Sequence, residues 1–250
     1  METVTKLIGR EFQLKLPSQF SKGSQNSISE KIETGLAVGE KKTLIQVVSD
    51  LGKKDKLTSL LSSIGNDDYL LRSVLKKSYK HHNGFHKIVL FGTDVFKLRL
   101  HLFRPIVEMP LAMENIHNHR WNFASNIITG KLSMELFNEN AIGDVEMNNY
   151  TYIAKGATDQ YKVEYLGKTH LQRLSSIQYD SGCTYYMRSQ ELHRIINPDN
   201  VETCTLMMTG FPVSNNCNLY SQFKFKEEKQ GVLTYTKNEI LNLFQSIIGN

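Results

Sequence analysis

The chain has 250 residues, of which 22% are charged, with a formal net charge of +5. That length can bury one sizeable core or two small ones, and the interleaving of lysines and arginines with acids argues against a basic nucleic-acid footprint. No run of about 18 apolar residues exists to span a membrane, and 1–20 lacks the apolar centre of a signal peptide.

Up to about residue 80 the chain reads helical. Ser18 to Ser29, rich in Ser, Gly and Gln, reads as a loop. Leu57, Leu60, Leu61 and Ile64 keep helical spacing, Gly65 can stop that segment, and Asn66 offers a cap for a helix whose apolar face is Leu70, Leu71, Val74 and Leu75. From Lys87 the period changes to two. Ile88-Val89-Leu90-Phe91 is a short apolar run closed by Gly92. Phe96, Leu98, Leu100 and Leu102 then alternate with Lys97, Arg99 and His101. Further strands are expected over Ile127 to Phe137 with a break at Gly130, and over Tyr150 to Ile153, Tyr161 to Leu166, Leu171 to Tyr179, Cys183 to Met187, His193 to Ile196 and Thr203 to Met208. Many short strands between Gly, Asn and Asp turns predict a mainly β chain, an antiparallel jelly-roll barrel. Thr236 with Glu239 makes a capping box for a last helix through Ile248. The expected division is an N-terminal helical extension over 1–83, a barrel over 84–226 and a C-terminal helix over 227–250.

Three cysteines, Cys183, Cys204 and Cys217, form no C-x-x-C pair. An odd number without that spacing reads as reduced thiols in a cytoplasmic compartment, with Cys183 and Cys204 as small core residues.

The chemistry-bearing residues lie in two stretches, Ile116-His117-Asn118-His119-Arg120-Trp121 and Gly182 through Asn197. Imidazole is the commonest ligand of catalytic metals. An H-x-H pair on a strand puts both rings on one face, and His193 from a neighbouring strand would complete a facial set. The bland alternative is a structural pair of satisfied histidines. His81, His82 and His86 read as an ordinary polar helix end. Trp121 and Phe123 share the parity of the metal histidines and so point inward, either as core filling or, with Met207, as an apolar pocket wall that limits water around the metal. Arg120 and Arg194 each follow a ligand histidine and so point to the opposite face, as packing or salt-bridge residues.

These two stretches resemble the cupin superfamily. Its first motif is H-x-H, an acid and a glycine, and His117, His119 and Gly130 match it while Phe123 stands at the acid position. Its second motif is matched by Gly182, His193 and Asn197, with Arg188 and Gln190 in place of the inner Pro and Gly. A cupin with three histidines and no acid is similar to cysteine dioxygenase and related thiol dioxygenases. Gly182-Cys183-Thr184-Tyr185-Tyr186, Leu192 through Asn197, and Phe96-Lys97-Leu98 ahead of the H-x-H pair carry that likeness, which covers roughly Asn66 to Pro212. It implies one Fe(II) held by His117, His119 and His193, with dioxygen and a small anionic thiol or carboxylate as reactants. Ligand type alone also allows Zn, Ni or Cu. A non-catalytic metal-binding sensor or partner-binding module, and a metal-dependent isomerase or hydrolase, stay open, as does a homodimer; nucleic acid and membrane are not expected as partners.

Two features depart from that family. Ala124 stands where animal cysteine dioxygenases carry the cysteine of a Cys–Tyr cross-link. Thr205 to Thr209 lacks the family's Ser-His-Tyr set. The guanidinium fork makes Arg99 the expected substrate anchor, with Lys97 and His101 beside it, provided that the cationic face of Phe96 to Phe103 looks into the barrel; the resemblance places Lys87 near the family's carboxylate-binding arginine and Tyr185 near the pocket. The alternative is a solvated strand face.

Overall fold

The computed structural model describes residues 14, 20–81, 84–104, 115–154, 161–197, 201–224 and 233–249. His82 and the expected boundaries at 83–84 and 226–227 touch or lie in segments outside the described residues.

Three helices come first: α1 Lys22–Leu51, α2 Lys54–Asn66 and α3 Asp68–Lys77. The expected loop at Ser18 to Ser29 is thus largely the first turns of α1, because its serines make a capping box. The Ser21 amide donates to Ser24 Oγ at 2.7 Å, and Ser24 N faces Ser21 Oγ. A non-helical residue, Gly39, kinks α1. The expected cap at Asn66 moves one residue on. Asp67 takes the role, its carboxylate accepting from Tyr69 N and Leu70 N at 2.9 and 3.0 Å.

The strands are β1 Tyr79–His81, β2 Phe85–Gly92, β3 Lys97–Phe103, β4 Ile116–His117, β5 Trp121–Thr129, β6 Lys131–Glu139, β7 Val145–Ala154, β8 Tyr161–Asp180, β9 Thr184–Met187, β10 Leu192–Ile196, β11 Thr203–Pro212, β12 Asn216–Ser221 and β13 Leu233–Thr234, followed by α4 Lys237–Gly249. The capping box of α4 is present, with Thr236 N and Oγ1 both on Glu239 Oε2 at 2.8 and 2.9 Å. Between β5 and β6 the chain turns at Gly130, whose φ of +80° and close approach to Glu202 O admit no side chain. The two strands expected at 161–166 and 171–179 are one twenty-residue strand, β8. Gly167, at φ +114°, lies at the bulge between β7 and β8 without ending the ladder.

The architecture is mainly β, an antiparallel jelly roll of two sheets with an N-terminal helical layer and a short C-terminal helix. One sheet runs β13-β1-β2-β3-β11-β5-β9, and the other, β10-β4-β12-β7-β8-β6, closes on itself through β6–β10 pairing. The period-two strands sort their residues onto two sides. Leu98, Leu100 and Leu102 of β3, Ala124 of β5, and Leu206 and Met208 of β11 face the helices. There they join Leu44, Val47, Val48, Leu51, Leu60, Ile64 and Phe244 in one core. Each such leucine contributes about 1.5–3 kcal/mol on burial, so the helical layer is held by the outer face of the sheet. Arg99 and His101 alternate to the opposite, interior side, where Phe123, Met134, Met187 and Met207 form a separate apolar cluster. Cys204 is buried as expected. Cys183, expected in the core, is exposed because it sits in the turn before β9. The three cysteines are unpaired, and no helix among the described residues is long and apolar enough to cross a membrane.

Candidate metal centre

His117, His119 and His193 converge, each offering one ligand atom, with those atoms within 4.8 Å of one another. Two paired strands and a short connection bring them together. β4 lies between β10 and β12, and His193 is the direct cross-strand partner of His117. The expected single-strand H-x-H pair takes a different form: β4 ends at His117, and His119 occupies the short connection to β5. The His119 amide is held there by Ser189 O at 2.9 Å. Ring centroids are 4.8 Å apart for His117–His119, 4.5 Å for His117–His193 and 5.0 Å for His119–His193.

The donor set fits a divalent cation. His117 Nδ1 lies 2.8 Å from Asn115 O and His193 Nδ1 lies 3.2 Å from Glu191 O. A carbonyl only accepts, so Nδ1 carries the proton in both rings and Nε2 is the ligand nitrogen. Burial, then the neighbouring imidazoles, hold His119 and His193 well below the usual histidine range, with Arg99 and His101 adding to the effect on His119. Neutral imidazole is the form that binds metal. The cluster of described residues contains no carboxylate, and Phe123, at the acid position of the motif, stands edge-on to His119 at 4.9 Å.

The remaining expected residues divide. Trp121 stacks on His119 at 5.8 Å, while Phe123 and Met207 are buried beside the triad. Arg99 is 4% exposed and lies 5.3 Å from the Trp121 ring, and its guanidinium is lowered by burial to about 10, so it stays charged at neutral pH. His101 is pushed well down by burial and by Arg99 and Lys87, and is neutral. Lys87 is the cross-strand partner of His101 and donates to Tyr79 Oη at 2.6 Å. Tyr185 is half-buried, stacked on Tyr179 at 4.7 Å. Lys97 stands apart. It begins β3 and is exposed, unlike Arg99 and His101, whose parity it shares. Arg194 points outward, as expected, and pairs with Glu135. Arg120 instead lies over Trp121 at 5.1 Å.

Sequence reasoning missed Ser125, Tyr79 and Tyr179. Ser125 was within reach, since it continues the parity of Trp121 and Phe123, and it lies directly across from Met207 and Tyr185. Tyr79 joins the cationic strand only through β1–β2 pairing, which no local pattern announces.

No family model and no curated protein matches the chain. Among solved structures, a DMSP lyase structure aligns over 53% of this chain and 51% of its own at 10% identity, with a TM-score of 0.31. The oxalate decarboxylase of Lactobacillus farciminis aligns over 56% of this chain and 32% of its own at 10% identity, TM-score 0.33. The oxalate decarboxylase of Bacillus subtilis, with its Mn(II) centres, aligns over 57% of this chain and 30% of its own at 14% identity, TM-score 0.33. The chain thus spans from about a third to half of the length of these neighbours.

Proposed function

We propose that the chain is a mononuclear non-heme Fe(II) enzyme of dioxygenase type that oxidises a small anionic substrate, a thiol or a carboxylate, in the cytoplasm. The observation that carries this reading is the convergence of three imidazoles on one point without a carboxylate. Neutral ligands leave a divalent ion its full charge, which favours an anionic chelating substrate. Ferrous iron, when bound, supplies the redox chemistry that dioxygen requires.

The chain's own residues do the rest. His117, His119 and His193 hold the ion. Trp121, Phe123 and Met207 exclude water from its inner side, and Arg99, with Lys87, His101 and Tyr185 around it, orients the substrate. Lys97, exposed at the start of β3, is the most peripheral of the cations in this set.

One observation favours a broader substrate than cysteine. The inward positions of β11 are Thr205, Met207 and Thr209, so the strand offers no Ser-His-Tyr set. Ala124 faces the helices rather than the cavity, so no Cys–Tyr cross-link forms here. Metal analysis of anaerobically purified protein, followed by oxygen uptake with thiols, amino acids and keto acids, tests the reading. Stoichiometric iron and uptake with at least one class are expected. Bound iron inert towards oxygen throughout would favour the sensor or isomerase alternatives, and bound zinc a hydrolase.

A further inference from the structure

Two of the three triad histidines are held by carbonyls of one turn. Residues 188–191, between β9 and β10, form a turn closed by Glu191 N on Arg188 O at 3.2 Å. Ser189 O accepts from His119 N at 2.9 Å, and Glu191 O lies 3.2 Å from His193 Nδ1. His119 lies in a connection rather than a strand, so this turn sets where its backbone stands relative to His193. The shape of four residues thus governs the spacing of two ligands from distant parts of the chain.

The residue types that would preset that shape are missing. Proline fixes φ at about −65°, and glycine enters backbone conformations closed to other residues. Arg188 and Gln190 stand where the second motif has its inner Pro and Gly, and both side chains are exposed. A turn without either residue leaves more backbone freedom to be lost on folding. Here the turn carries its own clamp. Glu191 Oε2 accepts from Arg188 N at 2.6 Å, while the Glu191 amide goes to Arg188 O. One residue thereby occupies both backbone groups of the other, the reciprocal arrangement of a capping box, and a carboxylate on a backbone N–H makes a charge-assisted bond. Asn122 Oδ1 holds Ser189 N from the flank at 2.8 Å, which secures the middle of the turn but not its closure.

We infer that Glu191 is a positioning residue of the candidate metal centre: its carboxylate, bonded to Arg188 N, does the work of the missing Pro and Gly and keeps the carbonyls of Ser189 and Glu191 in place for His119 and His193. The inference rests on the reading of the triad as a metal site. The role needs an acceptor oxygen at the right reach, not a negative charge, and that separates it from plain attraction between a carboxylate and a cation.

The full-length protein is titrated with Co(II) against a chromophoric chelator, and the visible absorption of the bound ion reports the ligand geometry. Glu191→Ala should weaken binding by about tenfold or more and change that absorption. Glu191→Gln keeps an acceptor at the same reach and should retain most of the affinity. Arg188→Pro combined with Glu191→Ala removes the donor left without its partner and fixes φ, and should recover affinity. In metal-free protein the His119 amide, bonded to Ser189 O, should exchange with solvent several-fold faster in Glu191→Ala than in wild type or Glu191→Gln. Equal affinity in wild type and Glu191→Ala would overturn the inference. So would a Glu191→Gln protein as weak as Glu191→Ala, which would assign the effect to charge, or a folded double variant that shows no recovery. Wild type that bound no Co(II) would sink the metal reading alone, and the exchange rates would then decide the role of Glu191 by themselves: equal rates in wild type and Glu191→Ala would overturn it.

Discussion

Glu40 Oε2 accepts a hydrogen bond from Asn122 Nδ2 at 2.6 Å, fastening α1 of the outer layer to the strand that follows the candidate metal centre. The other end of the Asn122 amide continues inward. Its Oδ1 accepts from Ser189 N at 2.8 Å, and Ser189 O accepts from His119 N at 2.9 Å. The one triad histidine outside a strand is therefore positioned by a strut that begins on a helix.

If that strut sets the angle of His119, breaking it should loosen the metal while the fold survives. Partners behind a ligand histidine are typically worth about 10–100-fold in metal affinity. Asn122→Ala and Glu40→Gln should each weaken Fe(II) or Zn(II) binding, Asn122→Ala by about tenfold or more, in competition titrations with a chromophoric chelator. Gly210→Ala should act in the same direction, because an added Cβ would stand 2.1 Å from Glu40 Oε1 and push that carboxylate off Asn122 and off Phe211 N. Affinity unchanged in all three would reduce the strut to packing.

Replacing any one of His117, His119 and His193 by Ala should strip most bound metal yet leave a folded chain, since the two-sheet core does not depend on the ion. The thermal signature is specific. An ion present at about a hundredfold its Kd adds about 2.7 kcal/mol, or several degrees in Tm for a chain of this size. Chelator should lower the Tm of wild type and leave the triple-alanine protein unmoved. A triple variant that kept one equivalent of metal would place the site elsewhere.

Much of this arrangement was legible because it rests on local periods. Alternation along Phe96 to Phe103 separated Leu98, Leu100 and Leu102 from Arg99 and His101, and the structure seats the two sets on opposite sides of the sheet as that period demands. Lys97 shares that parity, yet it begins the strand and is exposed, which the period alone does not tell. The helical start at Lys22 was hidden by serines that read equally well as loop or cap. The Glu40–Asn122 contact spans 82 positions, and the approach of Tyr79 to Lys87 needs β1 in place. Such pairings are properties of the packed fold, and no window of sequence contains them.

Glu135 offers a pH test away from the centre. Its side chain is 6% exposed and sits between Arg173 at 2.8 Å and Arg194. Burial pushes the carboxyl up, but the hydrogen bonds and charges of Arg194 and Arg173 outweigh it and hold the group below its usual 4.5. A depressed carboxylate contributes stability that is present above the unfolded value and lost as pH falls through the folded one. With Arg173 largely in solvent, the expected contribution is about 1–2 kcal/mol. Glu135→Gln should be less stable by that amount in urea melts at neutral pH, and the difference should vanish below about pH 3. A difference that persisted there would assign the effect to packing rather than charge.

The helical layer and the barrel should unfold as one unit, although the sequence divides at about residue 84. The helix-facing leucines of β3 and β11 have no other cover: Leu98, Leu100, Leu102 and Leu206 are 0% exposed, and they pack with Leu44, Val47, Val48 and Leu51 of α1. Removing 1–66 would bare that whole face of the sheet, an exposed apolar patch of the kind that drives aggregation. The smaller lesion is more informative. Leu206→Ala removes a fully buried side chain from the shared core and should cost about 2–5 kcal/mol. If the layers are coupled, that loss lowers a single transition seen alike by far-UV circular dichroism, which reports mainly α1 to α4, and by Trp121 fluorescence, which reports the barrel interior. Two separated transitions, with only the helical one shifted by Leu206→Ala, would show the helices to be an appended domain.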